Sequence, residues 1–396
     1  TAPLFMIAAG IGLMFGVGGS VVASIHLSQG KRKAANINIT QALVFSAILI
    51  LIMSALCFYF VEPLGRFLGS SDKLLPYVIE YISWYVPFLV FYEILNIGMF
   101  YIRLDGSPNY AMMCNATAAI LNILLDYIFI FEFGWGMMGA AFATSLGTVV
   151  GGLMTPVYLM HYSHDLRLYR IKLSRKSLRM TFRNIGYMVK LGNSAFVSEA
   201  SIACMMFLGN YVFIRNLGED GVAAFSIVCY FFPIIFMVYN AIAQSAQPII
   251  SYNFGAGQPE RVRKALRLSL RTALICGICF FILTTLCCRN IVALFIDRSY
   301  SAFDIAVNGI PYFGIGFIFF AINMIGIGYY QSIERGQRAT IITLLRGVVF
   351  MLIGFFVLPP ILGVPGIWLA VPSAELLTTL YIIGIYFKDR FIVRRR

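Results

Sequence analysis

Five ionisable residues lie inside long apolar stretches of this 396-residue sequence: Glu93, Asp126, Glu199, Arg346 and Glu375. Placing such groups within apolar surroundings is costly, so they mark candidate ion, proton or substrate sites. Asp126 has the most informative neighbours. It closes the run Asn122-Ile-Leu-Leu-Asp126, and a spacing of four puts both polar side chains on one helical face. The next apolar stretch runs back from about Gly136 and carries Thr144. At 1.5 Å per residue from the shared boundary, Asp126 is about 9 Å deep and Thr144 about 12 Å deep. A carboxylate, an amide and a hydroxyl therefore meet at similar depth on adjacent helices. Oxygen ligands of this kind suit a hard cation such as Na⁺. The same carboxyl group, shielded from water, can instead carry a proton. A polar network that only ties two helices together would use the same residue types.

Glu199 lies near the middle of its stretch, where it can meet a cationic substrate or pair with a polar neighbour. Glu375 is the other candidate for a substrate or second ion site. Glu93 is expected to pair locally. Arg346 is expected to reach the cytoplasmic interface with its charged end, as long basic side chains do. Cys276-x-x-Cys279 has a redox or zinc spacing, but it sits in an apolar run with no companion pair and no nearby His, and reads as small apolar residues. Nothing resembles a nucleophile with its base, a phosphate loop or a metal-binding His/Cys cluster. The residues support no enzymatic reading, and no cofactor or bound metal is expected beyond a coupling ion, H⁺ or Na⁺.

The elements that would position these groups are membrane spans. The chain is 60% hydrophobic and 12% charged, more apolar than a soluble domain of this size can hide. Apolar stretches near 2–28, 36–61, 77–102, 110–132 and 136–161 fall, after a shift of 227 residues, on 229–255, 263–288, 304–329, 337–359 and 363–388. Together with an unpartnered stretch at about 183–216 these make eleven spans, each long enough to cross a bilayer core of about 30 Å. Such a duplication is the usual construction of a secondary transporter. The expected fold is an all-α polytopic membrane protein of two six-helix lobes, the first present here with five, related by a pseudo-twofold axis along the membrane normal. Its parts are a first lobe at 1–161, a basic linker at 162–182, a second lobe at 183–388 and a basic tail at 389–396. The counterparts of Asn122, Asp126 and Thr144 are Val349, Ile353 and Val371, so the polar site was not duplicated with its scaffold.

The net charge of +13 is concentrated in alternate loops. Lys31, Arg32 and Lys33 fall in one. Seven basic residues from Arg167 to Arg183 fall in another, and Arg261, Arg263, Lys264 and Arg267 in a third; Arg394, Arg395 and Arg396 end the chain. This alternation is the positive-inside pattern and does not indicate a nucleic-acid partner. It places the C-terminus in the cytoplasm and Thr1 outside. One further span upstream of Thr1 would complete six plus six, so the expectation is a chain lacking its first helix.

Four stretches carry a family resemblance. They are Gly16-Val-Gly-Gly-Ser-Val-Val-Ala-Ser24 with Gly30-Lys-Arg-Lys-Ala34, Arg103-Leu-Asp-Gly-Ser-Pro108 with Asn122-Ile-Leu-Leu-Asp126, Gly136-Met-Met-Gly-Ala-Ala-Phe-Ala-Thr144, and Gln247-Pro-Ile-Ile-Ser-Tyr-Asn-Phe-Gly-Ala-Gly257. With these the chain resembles the MATE (multidrug and toxic compound extrusion) family over most of its length and in family order. The resemblance implies family helices 2–6 in the first lobe and 7–12 in the second. It implies a monomer in the inner membrane that exports small-molecule drugs or organic cations in exchange for H⁺ or Na⁺. It also implies that Asn122, Asp126 and Thr144 form the coupling site. Glu199 lies about two residues out of register with the family's glutamate on the seventh helix. Related folds flip lipid-linked oligosaccharides, usually with more basic residues in the central spans; here the membrane charge is mainly acidic, which favours cationic cargo.

Overall fold

The computed structural model describes residues 2–67, 75–171 and 174–394. Lys172 of the basic linker and Arg395 and Arg396 of the tail lie outside the described residues. Every regular element among the described residues is helical. The spans are α1 (Ala2–Ser28), α2 (Arg32–Tyr59), α3 (Leu75–Leu104), α4 (Pro108–Glu132) and α5 (Gly136–Tyr162). They continue with α6 (175–217), α7 (219–255), α8 (Pro259–Leu286), α9 (Ser301–Gly314 with Gly316–Ser332), α10 (Gly336–Leu362) and α11 (Val364–Arg394).

α6 and α7 follow one another with helical hydrogen bonding almost throughout, and one residue separates them. Gly218 has φ 68° and ψ −156°, a conformation outside any helix and available essentially to glycine alone. The chain reverses there. Phe213 and Phe225 stack with ring centroids 4.6 Å apart, whereas twelve residues of straight helix would separate them by about 18 Å. Glu219 and Asp220 follow the glycine and put negative charge on the opening turn of α7, where the helix dipole favours it. A Cβ at residue 218 would meet no atom within 4 Å, so Gly218→Ala tests backbone strain alone. The expected cost is on the order of 1–3 kcal/mol, read as a lowered midpoint of thermal unfolding in detergent.

The linker ends earlier than the sequence suggested. Ser174 accepts a hydrogen bond from the Ser177 backbone N–H at 3.3 Å through its Oγ, and the helix starts at Arg175. The preceding segment is held by the buried carboxylate of Asp105. Its Oδ1 accepts the N–H groups of Asp165 (2.8 Å) and Leu166 (2.7 Å). Its Oδ2 accepts the His164 N–H (2.7 Å) and the Tyr158 hydroxyl (2.8 Å). Asn36 and Thr40 of α2 accept the backbone N–H groups of Arg167 and Tyr169. Asp105 belongs to the Arg103–Pro108 motif, which is thereby a clamp on the chain leaving α5.

Two spans break at the same position of the repeat. α3 is interrupted by a 3-10 turn at Val86–Phe88, set by Pro87. α9 bends by 42° at Ile315, after Pro311 and Gly314. Residue 88 shifted by 227 is residue 315, so the duplication extends to the place where a helix is broken.

The chain divides into two compact units, Thr1–Phe196 and Val197–Arg396, with the cut inside α6. The first part of α6 packs in the first unit, where Ile185, Met188 and Leu191 join a core with Phe15, Tyr101 and Tyr158. The second unit has its own core, which includes Phe213, Phe225, Tyr239, Phe317, Phe320 and Trp368. Large apolar side chains outside these cores remain exposed on the spans, among them Ile48, Ile52 and Leu56 of α2, Ile123 and Leu124 of α4, and Ile275 and Ile282 of α8. That is the surface a bilayer covers.

Candidate functional site

In the first unit, α4 and α5 meet along small residues of α5. A Cβ on Gly147 would lie 2.6 Å from the Ala118 carbonyl and 3.4 Å from the Asn122 Cβ; one on Gly151 would lie 2.8 Å from the Cys114 carbonyl. These close approaches are van der Waals contacts that only glycine permits, as is common between membrane helices. They bring the two polar positions together. Asn122 Nδ2 donates to Thr144 Oγ1 at 3.2 Å, and Thr144 Oγ1 donates to the Ala140 carbonyl at 2.9 Å. The pairing expected from depth along adjacent spans is the one present.

Asp126 lies one turn beyond Asn122 and is half-buried. Its Oδ1 is out of contact with solvent and has no hydrogen-bond partner among the described residues. Immediately after it, at Tyr127–Glu132, α4 widens into a π-helical turn, a local irregularity frequent at functional sites. A third element also contributes. Tyr81 of α3 lies near Thr144 and Asp126. Sequence reasoning missed Tyr81, because helical spacing relates residues within a span and gives no pairing between distant spans. The oxygens of Asp126 and Asn122 are hard donors of the kind that suits Na⁺, and the carboxyl group alone suffices for a proton.

Among the remaining candidates, Glu375 of α11 is buried in the second unit. Asn323 of α9 donates through Nδ2 to its Oε2 at 2.6 Å and to its backbone carbonyl at 2.8 Å. Thr379 donates to Asn323 Oδ1 at 2.9 Å. Arg346 Nε stands 3.8 Å from Glu375 Oε1, an ion pair without a hydrogen bond. Arg346 also lies over the Phe320 ring at 4.8 Å and donates through Nη1 to Met324 Sδ at 3.3 Å. The expectation that Arg346 reaches the cytoplasmic interface is therefore wrong: only 5% of it is exposed, because the Glu375 carboxyl group and the Phe320 ring lie beside it. The residues around the pair, including Ser201, Met205, Phe232 and Met351, line a small cavity. Glu199, on α6, is half-buried, and no hydrogen bond or ion pair joins it to the described residues. Glu93 is fully buried and does not pair locally as expected, since both its oxygens lack a partner among the described residues.

The family model MatE matches residues 1–128 and 194–363. The chain belongs to the MatE family. Its members are transporters, so this is a multi-pass membrane transporter and not an enzyme. Among curated relatives, it is 28% identical to the FAD transporter of Shewanella oneidensis, over 95% of this chain and 83% of that one. It is 25% identical to the multidrug export protein MepA of Staphylococcus saprophyticus, over 99% of this chain and 86% of that one. Among solved structures, a MATE protein in complex with MaL6 aligns with a TM-score of 0.90 at 21% identity, covering all of this chain and 88% of the other. A MOP superfamily transporter from Pyrococcus furiosus aligns with a TM-score of 0.89 at 21% identity, over all of this chain and 87% of that one. For this MatE chain the structural likenesses establish the fold, an all-α polytopic membrane architecture.

Proposed function

We propose that this transporter is a secondary active multidrug exporter. It moves lipophilic, often cationic compounds across the cytoplasmic membrane in exchange for H⁺ or Na⁺, by alternating access, as a monomer with its C-terminus in the cytoplasm. The observation that carries the reading is the Asn122–Thr144 hydrogen bond beside the open carboxyl oxygen of Asp126. A site of this kind can exchange an ion each cycle, because its carboxyl group is not committed to a fixed cation. The basic linker, with Arg32 of α2 paired to Asp165 at 2.9 Å, lies on the cytoplasmic side in this arrangement. Glu199, with no fixed partner, is the candidate contact for cationic cargo, and Glu375 the candidate second ion or substrate site.

A second reading has its own support. The relative named as an FAD transporter suggests a dinucleotide as natural cargo. Export of lipid-linked oligosaccharide has less support, since the buried cation Arg346 is already paired with Glu375. Full-length protein in liposomes separates these readings. Ethidium and FAD are offered in parallel under an imposed pH gradient and then a Na⁺ gradient. Gradient-driven ethidium export is the expected result. Movement of FAD alone would transfer the assignment to flavin nucleotides, and movement of neither would remove the multidrug reading.

A further inference from the structure

The two units treat a buried carboxyl group in opposite ways. In the second unit, Glu375 has a cation and an amide beside its carboxyl group: Arg346 at 3.8 Å and the Asn323 amide at 2.6 Å, with Thr379 supporting that amide. In the first unit, Glu93 of α3 has none of this. It is 0% exposed, and neither of its oxygens meets a donor among the described residues. The repeat relates Asn323 to Asn96, but Asn96 donates to the Tyr92 carbonyl at 3.0 Å and leaves Glu93 without an amide.

The seam that holds Glu93 is built to exclude other groups. α1 and α3 run side by side in the same direction, and glycines of α1 receive the bulk of α3. A Cβ on Gly12 would lie 2.8 Å from Glu93 Oε2 and 3.2 Å from the Asn96 Cβ. Gly16 and Gly19 receive Phe100 and Tyr101 in the same way. Between Leu4 and Ile25, α1 carries no Asp, Glu, Lys, Arg, His, Cys or Tyr. The other spans packed on α3 have their titratable residues toward their ends: Arg32, Lys33, Cys57 and Tyr59 on α2, Tyr110, Cys114, Asp126, Tyr127 and Glu132 on α4, and Tyr158, His161 and Tyr162 on α5. On α3 itself, Tyr92 is the adjacent residue, and Tyr101 gives its hydroxyl to the Phe15 carbonyl at 3.0 Å; Arg103 and Glu80 are further along the helix. Among the described residues no cation offsets an ionised Glu93, and an uncompensated buried carboxylate is among the costliest groups a fold can hold.

We propose that Glu93 is a second proton-binding site, distinct from Asp126, which holds a proton in this conformation and exchanges it when the α1–α3 seam opens. A small cavity lined by Leu4, Phe5, Tyr81, Tyr85 and Leu89 runs along the same seam and ends one turn short of Glu93. Tyr85, which lines it, has a buried hydroxyl without a partner among the described residues. The ligand is a proton rather than Na⁺, because Gly12 packs directly against Glu93 Oε2 and the unpartnered Tyr85 hydroxyl belongs to a residue about 12 Å away along the helix. The site's existence does not depend on drug export; only its use in the cycle rests on the antiport reading.

The test is infrared difference spectroscopy of the full chain in lipid nanodiscs, between acidic and alkaline buffer. Wild type is expected to show the carbonyl stretch of a protonated carboxylic acid that Glu93→Gln lacks and Asp126→Asn retains. Should Glu93→Gln fail to fold, Gly12→Ala takes its place; its added methyl presses on Oε2 and is expected to shift that band without removing it. A band unchanged in Glu93→Gln, or undisplaced in Gly12→Ala where that variant is used, overturns the proposal whatever the ethidium assay shows. Loss of efflux in Asp126→Asn with the Glu93 band intact separates the two sites.

Discussion

Asp126→Asn is expected to reduce gradient-driven ethidium efflux to the level of protein-free liposomes, while the protein folds and inserts as wild type does. The substitution keeps the size of the side chain and removes its ability to bind a proton or neutralise a cation. Asp126 is half-buried at the surface of its unit, so exchanging its carboxylate for an amide places little strain on the packing. Asn122 and Thr144 remain joined to each other at 3.2 Å. Neighbouring changes should have graded effects. Asn122→Ala removes both the donor to Thr144 and the amide beside Asp126, and is expected to weaken ion dependence severalfold. Thr144→Val keeps the shape, removes one hydroxyl and should cost less. Tyr81→Phe is expected to change the ion dependence more than the substrate preference, because Tyr81 lies near Thr144 and Asp126. Efflux, ion dependence and circular dichroism on the same preparations check all four. Normal coupled efflux by Asp126→Asn would reduce the residue to a structural role.

Arg346→Ala is expected to destabilise the protein by about 3–5 kcal/mol, the cost of leaving one member of a buried ion pair alone. Glu375 would keep Asn323 and lose its cation, and the guanidinium would vacate its position over Phe320. The double variant Arg346→Met with Glu375→Leu removes both charges and is expected to recover most of that loss, since apolar replacement of a whole buried pair is often near neutral. Thermal unfolding of the two variants in detergent reads the difference. The double variant also addresses the role of Glu375. A stable protein with wild-type efflux would make the pair architectural. A stable protein without efflux would make Glu375 the second ion or substrate site.

The sequence revealed more of the scaffold than of the side-chain partnerships. Span positions were legible because bilayer crossing imposes a length and a composition on each helix, and the repeat registered them without a gap. The Asn122–Asp126–Thr144 grouping was legible for a related reason: residues on adjacent antiparallel spans share depth, and depth can be counted from a common loop. Arg346 shows where that reasoning stops. Its position along the helix suggested an interface, but its partner Glu375 is on another span, and nothing in a single sequence ties the two. Tyr81 and Asp105 were missed for the same reason, Asp105 because most of its ligands are backbone N–H groups, which have no sequence signature. Gly218, the single residue that reverses the chain, was not singled out by the sequence, because its φ of 68° follows from the packing of the two helices it joins.

The measurement closest to the central claim is counter-ion flow during substrate movement. Liposomes containing the full chain are loaded with a pH-sensitive or Na⁺-sensitive dye, and ethidium is driven across in a fixed direction by its own concentration gradient. Wild type is expected to move H⁺ or Na⁺ in the opposite direction at a rate that follows ethidium, and Asp126→Asn to move neither. Ethidium crossing at the wild-type rate with no ion moving against it would contradict the account.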